Sequence, residues 1–352
     1  MKIAMVVSSV PEPNRKLGGV EIFAHRLANE LAKKDEVTVF SLSKGAPADA
    51  LYRHQQLFST LYRLNQKGLF RRLFLWFGFP TLLNFVDMSR FDVIHIQGDD
   101  WFYFFRQEPT LRTMHGSALN EAKTAASLKR KLTQYMLYPL EHLAAKLATI
   151  TVGVGPDSKK IYGLAHSINN GVDVDRFYPG EKSPNPSILF VGNWQGRKRG
   201  HFMFERFTQS ILPRVPEARL WMVSDECPSH PNVDSYEYPD DATLARLFRE
   251  AWVYGYPSIY EGFGITYVEA LASGTATVTS HNYGAEHVLA GGKYGIIAED
   301  EHFADQIVAL LTDAEKRRRL EDMGCQRATQ FRWSEVAKAY RDLYLKAQNS
   351  RV

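Results

Sequence analysis

The chain is nearly free of cysteine. Of its 352 residues only Cys227 and Cys325 are cysteines, far apart, so no disulfide framework is available and a reducing compartment is expected. Long apolar runs are lacking too: no stretch reaches the roughly 18–20 residues that cross a bilayer as a helix. Residues 2–7 form a short strand-like run, which is not the layout of a secretory signal. A cytoplasmic protein is the expectation. Excess charge is also missing. The 43 basic and 39 acidic residues leave a net +4, which suits acidic small molecules or an anionic surface and gives no pointer to nucleic acid. Acid is absent locally: between residues 50 and 86 there is no Asp or Glu.

What is present is ordinary for a globular enzyme, 45% hydrophobic and 23% charged. The length exceeds what one hydrophobic core usually organises. Strand-like and helix-like segments alternate. A buried strand at 2–9 leads through a loop with Pro11 and Pro13 to Gly18-Gly19. Val20, Phe23, Ala24, Leu27, Ala28 and Leu31 then recur at helical spacing. Further strands are predicted at 37–42, 93–96, 111–114 and 148–154. The pattern restarts at 187–192 and continues through 218–224, 253–258, 275–279 and 295–298. Such β-α repetition implies parallel sheets with helices on both faces. The cluster 169–180, followed by Ser183-Pro-Asn-Pro186, reads as a linker between two similar α/β domains enclosing a cleft. An amphipathic helix at about 334–348 follows the second domain.

The richest segment is Tyr260-Glu-Gly-Phe-Gly-Ile-Thr-Tyr-Val-Glu269. It sets Glu261 and Glu269 either side of a small turn containing Gly262 and Gly264. The turn lies after a strand and before a helix, where open α/β sheets bind ligands. Free backbone N–H groups and the helix dipole favour an anion there. Glu261 is expected at the mouth, open to hydroxyls, and Glu269 one or two turns inside, near a second set. A ligand built of phosphate, sugar and ribose fits this layout.

Four segments together carry a resemblance: Gly18-Gly-Val-Glu21, Asn170-Gly-Val-Asp-Val-Asp-Arg-Phe177, Val191-Gly-Asn-Trp-Gln-Gly-Arg-Lys-Arg-Gly200, and the Glu261-x7-Glu269 pair. In this order the chain resembles, nearly end to end, a retaining glycosyltransferase of family 4 with the GT-B fold of two Rossmann-like domains facing across a cleft. The resemblance implies an N-terminal acceptor domain over 1–169, a C-terminal donor domain over 170–330, and a 331–352 helix packing back on the first domain. It implies a hexosyltransferase-type reaction. A sugar passes from a nucleoside diphosphate donor of UDP or GDP type to a hydroxyl of a glycan, lipid or small molecule. No cofactor and no metal are implied. The alternatives are a GT-B-like nucleotide-sugar epimerase and a non-catalytic nucleotide-sugar-binding protein.

Residue roles follow from the same resemblance. Glu261 and His115 line the catalytic centre beside the donor sugar, and Glu269 holds the ribose. The N–H groups of Phe263, Gly264 and Ile265 lie near phosphate or sugar, with Gly262 keeping the turn small. Gly18 and Gly19 either form only a tight turn or let a diphosphate approach a helix N-terminus. Arg197, Lys198 and Arg199 are either a solvated run or the diphosphate's cationic partners. Asn193 stands where the family places an Arg, and Arg199 where a Lys precedes Gly, which makes Arg197 and Lys198 the expected pair. His95 reads as a buried, hydrogen-bonded strand residue. Asp99-Asp100 lacks a third metal ligand, and Cys227 with His230 lacks a second zinc pair. With no carboxylate flank for a glycosidase-like nucleophile, the departing diphosphate itself is the expected proton acceptor.

The acid-free segment mixes five cations, Arg53, Arg63, Lys67, Arg71 and Arg72, with nine aromatics that include Tyr52, Phe58, Tyr62, Phe70, Phe74, Trp76, Phe77 and Phe79. Residues 51–80 either contact an anionic membrane at the inner face, which suits a lipid-linked acceptor, or pack into the first domain with the cations at its rim.

Overall fold

The computed structural model describes residues 1–11, 18–64, 68–98, 100–106, 108–125 and 127–350, with the backbone alone at 62–64, 68, 69, 72, 124, 156 and 157. Pro13, Lys67 and Asp99 lie outside the described residues, as do the side chains of Tyr62, Arg63 and Arg72. The chain divides into two compact units. The first comprises Met1–Lys123, Ser127–Asn170 and Trp333–Val352, the second Gly171–Arg332 with Thr124–Ala126.

The first unit holds a seven-stranded parallel sheet: β1 (Lys2–Val6), β2 (Glu36–Ser41), β3 (Arg53–Gln56), β4 (Val93–Ile96), β5 (Thr110–Met114), β6 (Ile150–Val154) and β7 (His166–Ile168), in the order β3-β2-β1-β4-β5-β6-β7. Ile3 pairs with Val37 on one side and Val93 on the other. The central strands β1 and β4 are buried almost throughout because helices cover both faces. On one face, Phe23, Leu27 and Leu31 of the Gly19–Ala32 helix share a core with Val336, Tyr340 and Tyr344 of the Trp333–Asn349 helix. The final helix also satisfies polar groups in buried strands. Tyr344 Oη lies 2.7 Å from His95 Nδ1, and Tyr340 Oη 3.1 Å from Thr113 Oγ1. His95 is thus the buried, hydrogen-bonded residue expected.

The second unit holds a six-stranded parallel sheet: β8 (Ser187–Val191), β9 (Arg219–Val223), β10 (Val233–Tyr236), β11 (Val253–Tyr256), β12 (Ala276–Ser280) and β13 (Ile296–Ala298), in the order β10-β9-β8-β11-β12-β13. The strand order reverses between β1 and β4 in the first sheet and between β8 and β11 in the second. The crevice at the carboxyl ends beside such a reversal is the ligand position of a doubly wound sheet.

Some elements end earlier than the sequence predicts. β1 stops at Val6, and β11 at Tyr256, which leaves Ser258 in the following loop. Residues 51–82 begin with edge strand β3 and continue in short helices, Ser59–Leu64, Gly68–Leu73 and Phe79–Leu82, with a wide π-turn at Phe74–Gly78 between the last two. Pro80 has no N–H to return to the carbonyl of Trp76. Trp101 Nε1 donates to that carbonyl instead, at 2.6 Å. The aromatics of this segment divide. Tyr52 and Phe79 are core residues, while Phe70 is 72% and Phe85 80% exposed.

Candidate active site

In the second unit, the loop after β8 carries the basic triplet into the Gly200–Arg206 helix. Asp225 pins the loop by accepting from Asn193 Nδ2 and Trp194 N, both at 2.8 Å, and these bonds hold its carboxyl below the usual range. The three basic side chains then diverge. Arg199, in the left-handed region at φ 56°, forms a bidentate pair with Asp300 at 2.6 and 2.7 Å and donates to Ser280 Oγ and the Pro257 carbonyl. Its guanidinium ties the helix start to the far loops of the sheet. Arg197 Nη1 donates to Glu261 Oε1 and to the Tyr260 carbonyl, each at 2.5 Å. The Lys198 stem crosses Gly192, where a Cβ would stand 2.8 Å from the lysine Cδ. Its ammonium lies 5.8 Å from the Tyr256 ring centroid. Burial pushes the Lys198 amine below its usual pKa, with Glu261 and Glu269 pulling the other way.

Glu261 is 8% exposed and not open at a mouth, which corrects the expectation. Beyond β11 the chain turns back under itself. Tyr256 Oη at 2.6 Å and Ser258 Oγ at 3.1 Å join Arg197 in donating to Glu261 Oε1. The peptide of Glu261 is fixed as well, its carbonyl accepting from Gly284 N at 2.9 Å. Gly264 then caps the Ile265–Ala272 helix at φ 80°, and a Cβ there would meet the Tyr267 ring at 2.5 Å. Lacking a side chain, Gly264 gives the first turn no side-chain cap. Phe263 packs on Phe331 and His287. Glu269 is half-buried, one turn into the helix, and burial pushes its carboxyl up to about 7, with Arg176 and Lys198 opposing.

In the first unit, Gly18 is the N-cap of the Gly19–Ala32 helix. A Cβ at Gly18 would collide with the Glu21 carboxylate, which folds back over the cap and accepts from Ser9 Oγ at 3.0 Å. Gly19 is different: a Cβ there meets nothing within 4 Å. The helix start therefore already holds an acidic group. His115 follows β5, with its ring edge-on to Phe23 at 4.8 Å and its Nε2 2.7 Å from Gln97 Oε1. Burial, and then Arg112, hold the His115 pKa down to about 3, so the ring is neutral and Nε2 is its N–H donor. Gln97 Nε2 turns the other way, 3.0 Å from His95 Nε2. A polar chain therefore runs from Tyr344 through His95 and Gln97 to His115. Gln97 and His115 border a cavity of about 370 Å³ whose lining also includes Glu21, Trp101, Gln134 and Glu141.

Two family profiles lie end to end on this chain. Glycosyltransferase Family 4 matches residues 17–176, and Glycosyl transferases group 1 matches residues 171–327. The chain belongs to the family 4 type of GT-B glycosyltransferases. Like that family, the transferase moves a sugar from a nucleotide sugar. Phosphatidyl-myo-inositol mannosyltransferase of Mycobacterium tuberculosis (strain CDC 1551 / Oshkosh) is 26% identical over 292 residues, covering 72% of this chain and 73% of that relative. Sucrose-phosphate synthase from Thermosynechococcus elongatus superposes with a TM-score of 0.76 at 20% identity, covering 99% of both chains. Anabaena HepE in complex with UDP and glucose gives 0.71 at 16%, covering 97% of this chain and 99% of that one. At these identities the structural likeness shows a shared fold.

Several residues that hold this candidate site together carry little signal in the sequence. Tyr256 and Ser258 anchor Glu261, and nothing in their strand-end context marks them. Arg176 lies inside the Asn170–Phe177 motif, pairs with Asp241 at 2.8 Å, and acts on Glu269. Gln97 follows His95 by two residues at the end of β4, a position that signals a ligand-facing side chain. Asp100 is buried against Arg106 and Arg112. Cys227 Sγ turns to the Pro228 carbonyl, while His230 Nδ1 accepts from Asn232 N. Among the described residues no three His, Cys, Asp or Glu side chains are grouped to hold a metal ion.

Proposed function

We propose that the donor is of UDP or GDP type, that its diphosphate is bound by Arg197 and Lys198, and that the acceptor hydroxyl belongs to a lipid. The N–H groups of Phe263, Gly264 and Ile265, at and just before the helix start, add dipole and hydrogen bonds at the phosphate. Glu261 meets the sugar hydroxyls and Glu269 the ribose. The leaving diphosphate takes the acceptor proton, and the protein supplies position and charge stabilisation. His115, neutral and fixed by Gln97, borders the acceptor cavity of the first unit. The observation that carries this reading is the convergence of Arg197, Lys198 and Glu261 at the carboxyl ends of neighbouring strands β8 and β11.

The lipid acceptor rests on two supports. Phe70 and Phe85 are exposed in a segment with no acidic residue, and a mannosyltransferase relative is named for a phosphatidyl-inositol. A peripheral position on an anionic membrane through residues 51–80 follows from this. Among the described residues no helix is long and apolar enough to cross a membrane.

The test is incubation with a panel of UDP- and GDP-sugars and with inositol lipids or soluble polyols, followed by mass spectrometry. Coupled release of nucleoside diphosphate and a glycosylated lipid with retained anomeric configuration is expected. Glycosylation of soluble polyols alone rejects the lipid acceptor, and binding without turnover of any donor rejects the roles of Glu261 and His115.

A further inference from the structure

The Leu128–Leu147 helix has 20 residues, about 30 Å of length, and Ala144 is its one buried residue. Leu128, Leu132, Tyr135, Met136, Pro139 and Leu143 are all exposed, Leu128 by 72% and Leu132 by 61%. Their spacing of four, three, one, three and four residues places them along one side, from the first turn to the last but one. The opposite side carries Gln134, Leu137 and Glu141, which line the cavity beside His115. Glu141 is held there, accepting from Ala118 N at 3.0 Å and from the Tyr162 hydroxyl. Exposed Lys129 and Lys131 flank the apolar stripe, and exposed Lys146 closes its far end. No acidic residue occurs in the helix before Glu141.

We propose that this stripe is an in-plane contact with an anionic lipid surface, separate from residues 51–80. An apolar stripe edged by lysines matches the chemistry of an interfacial helix, with apolar side chains toward the acyl boundary and ammonium groups among anionic head groups. Charge argues against a second copy of the same helix as its cover. Packed antiparallel, two copies bring Lys129 and Lys131 toward Lys146, and packed parallel they bring each lysine beside itself, so like charges meet either way. An anionic bilayer accommodates all three. Because the other side of the helix walls the cavity, the contact holds that cavity close to the lipid surface.

The experiment uses the full chain with Cys227→Ser and Cys325→Ala, labelled with an environment-sensitive dye at Leu132→Cys, or at Glu315→Cys on the second unit as control. Vesicles of phosphatidylcholine with and without phosphatidylglycerol are added at low and physiological salt. A blue shift of the Leu132 dye is expected on anionic vesicles, reversed by salt, with the Glu315 dye silent. Lys129→Ser with Lys131→Ser is expected to weaken partition by roughly thirtyfold at low salt, as two cations near an anionic surface provide. Sedimentation of the unlabelled chain is run alongside. A Leu132 dye that ignores anionic vesicles at low salt overturns the proposal. So does a lipid-independent doubling of mass that Leu132→Ser abolishes, which makes the stripe an interface between copies. Arg71→Ser with Phe70→Ser serves as the separate arm for residues 51–80, so either surface can fail without the other.

Discussion

Arg197 Nη1 and Glu261 Oε1 lie 2.5 Å apart, joining the loop after β8 to the loop after β11. The same carboxylate oxygen accepts from Tyr256 and Ser258, and the same nitrogen reaches the Tyr260 carbonyl. Glu261 is therefore fixed in place before any ligand arrives. Removing one partner of a mostly buried ion pair leaves the other without compensation, which costs more than the pair contributes.

Arg197→Ala is expected to weaken nucleoside diphosphate binding and to lower stability together, since the guanidinium proposed to bind the phosphate is also the one that pairs with Glu261. Each lost charge-assisted contact corresponds to roughly 1.5–3 kcal/mol. Calorimetric titration with UDP and GDP, beside thermal unfolding, measures both. Lys198→Ala is expected to weaken binding with less effect on unfolding. Equal effects on unfolding would contradict the geometry.

Glu261→Gln keeps the shape and removes the charge. Under the proposed role, in which the carboxylate acts on developing charge at the sugar, turnover is expected to fall more than donor affinity. Steady-state kinetics separates the two, and a change confined to KM counts against this role.

Glu269 makes stability depend on pH. Its carboxyl is pushed from the ordinary 4.5 up to about 7, so the folded chain holds a proton that the unfolded chain has released. Its contribution is most favourable below 4.5 and is lost as pH rises through 7. Glu269→Gln is expected to flatten the wild-type decline in melting temperature between pH 5 and 8. Donor affinity is expected to run oppositely, rising with pH as the carboxylate forms to accept ribose hydroxyls, and calorimetry across the same range reads it.

The Tyr344–His95–Gln97–His115 chain ties the final helix to the cavity of the first unit. Gln97→Leu leaves His115 Nε2–H without its acceptor and is expected to lower kcat, while Gln97→Glu restores an acceptor and recovers part of it. Tyr344→Phe is expected to cost about 1 kcal/mol of stability, as one net hydrogen bond, measured by urea unfolding.

Phe70→Ser and Phe85→Ser are expected to leave folding intact and to reduce binding to anionic vesicles. Phe79→Ser, at 1% exposure, is expected to destabilise the first unit by about 3 kcal/mol or more. Urea unfolding and vesicle sedimentation distinguish the two classes.

The sequence by itself determined the two-sheet α/β architecture, because uninterrupted apolar strands alternating with 3.6-periodic helices leave few other packings. It also placed Gly18, the triplet at Arg197 and the Gly262–Gly264 turn after strands, as the structure has them. Side-chain direction was another matter. Arg197, Lys198 and Arg199 are adjacent in the chain, yet the first joins Glu261, the second crosses Gly192 and the third pairs with Asp300. A left-handed turn at Arg199 and a carboxylate 101 residues away decide that division. Likewise the aromatics of residues 51–80 share one composition, but only packing separates buried Phe79 from exposed Phe70. The placement of Tyr344 against His95, 249 residues apart, depends on the final helix entering the first unit's core. Local pattern fixes which elements form and which ends they present. Which charge meets which is settled by long-range contacts that form only when the sheets are assembled.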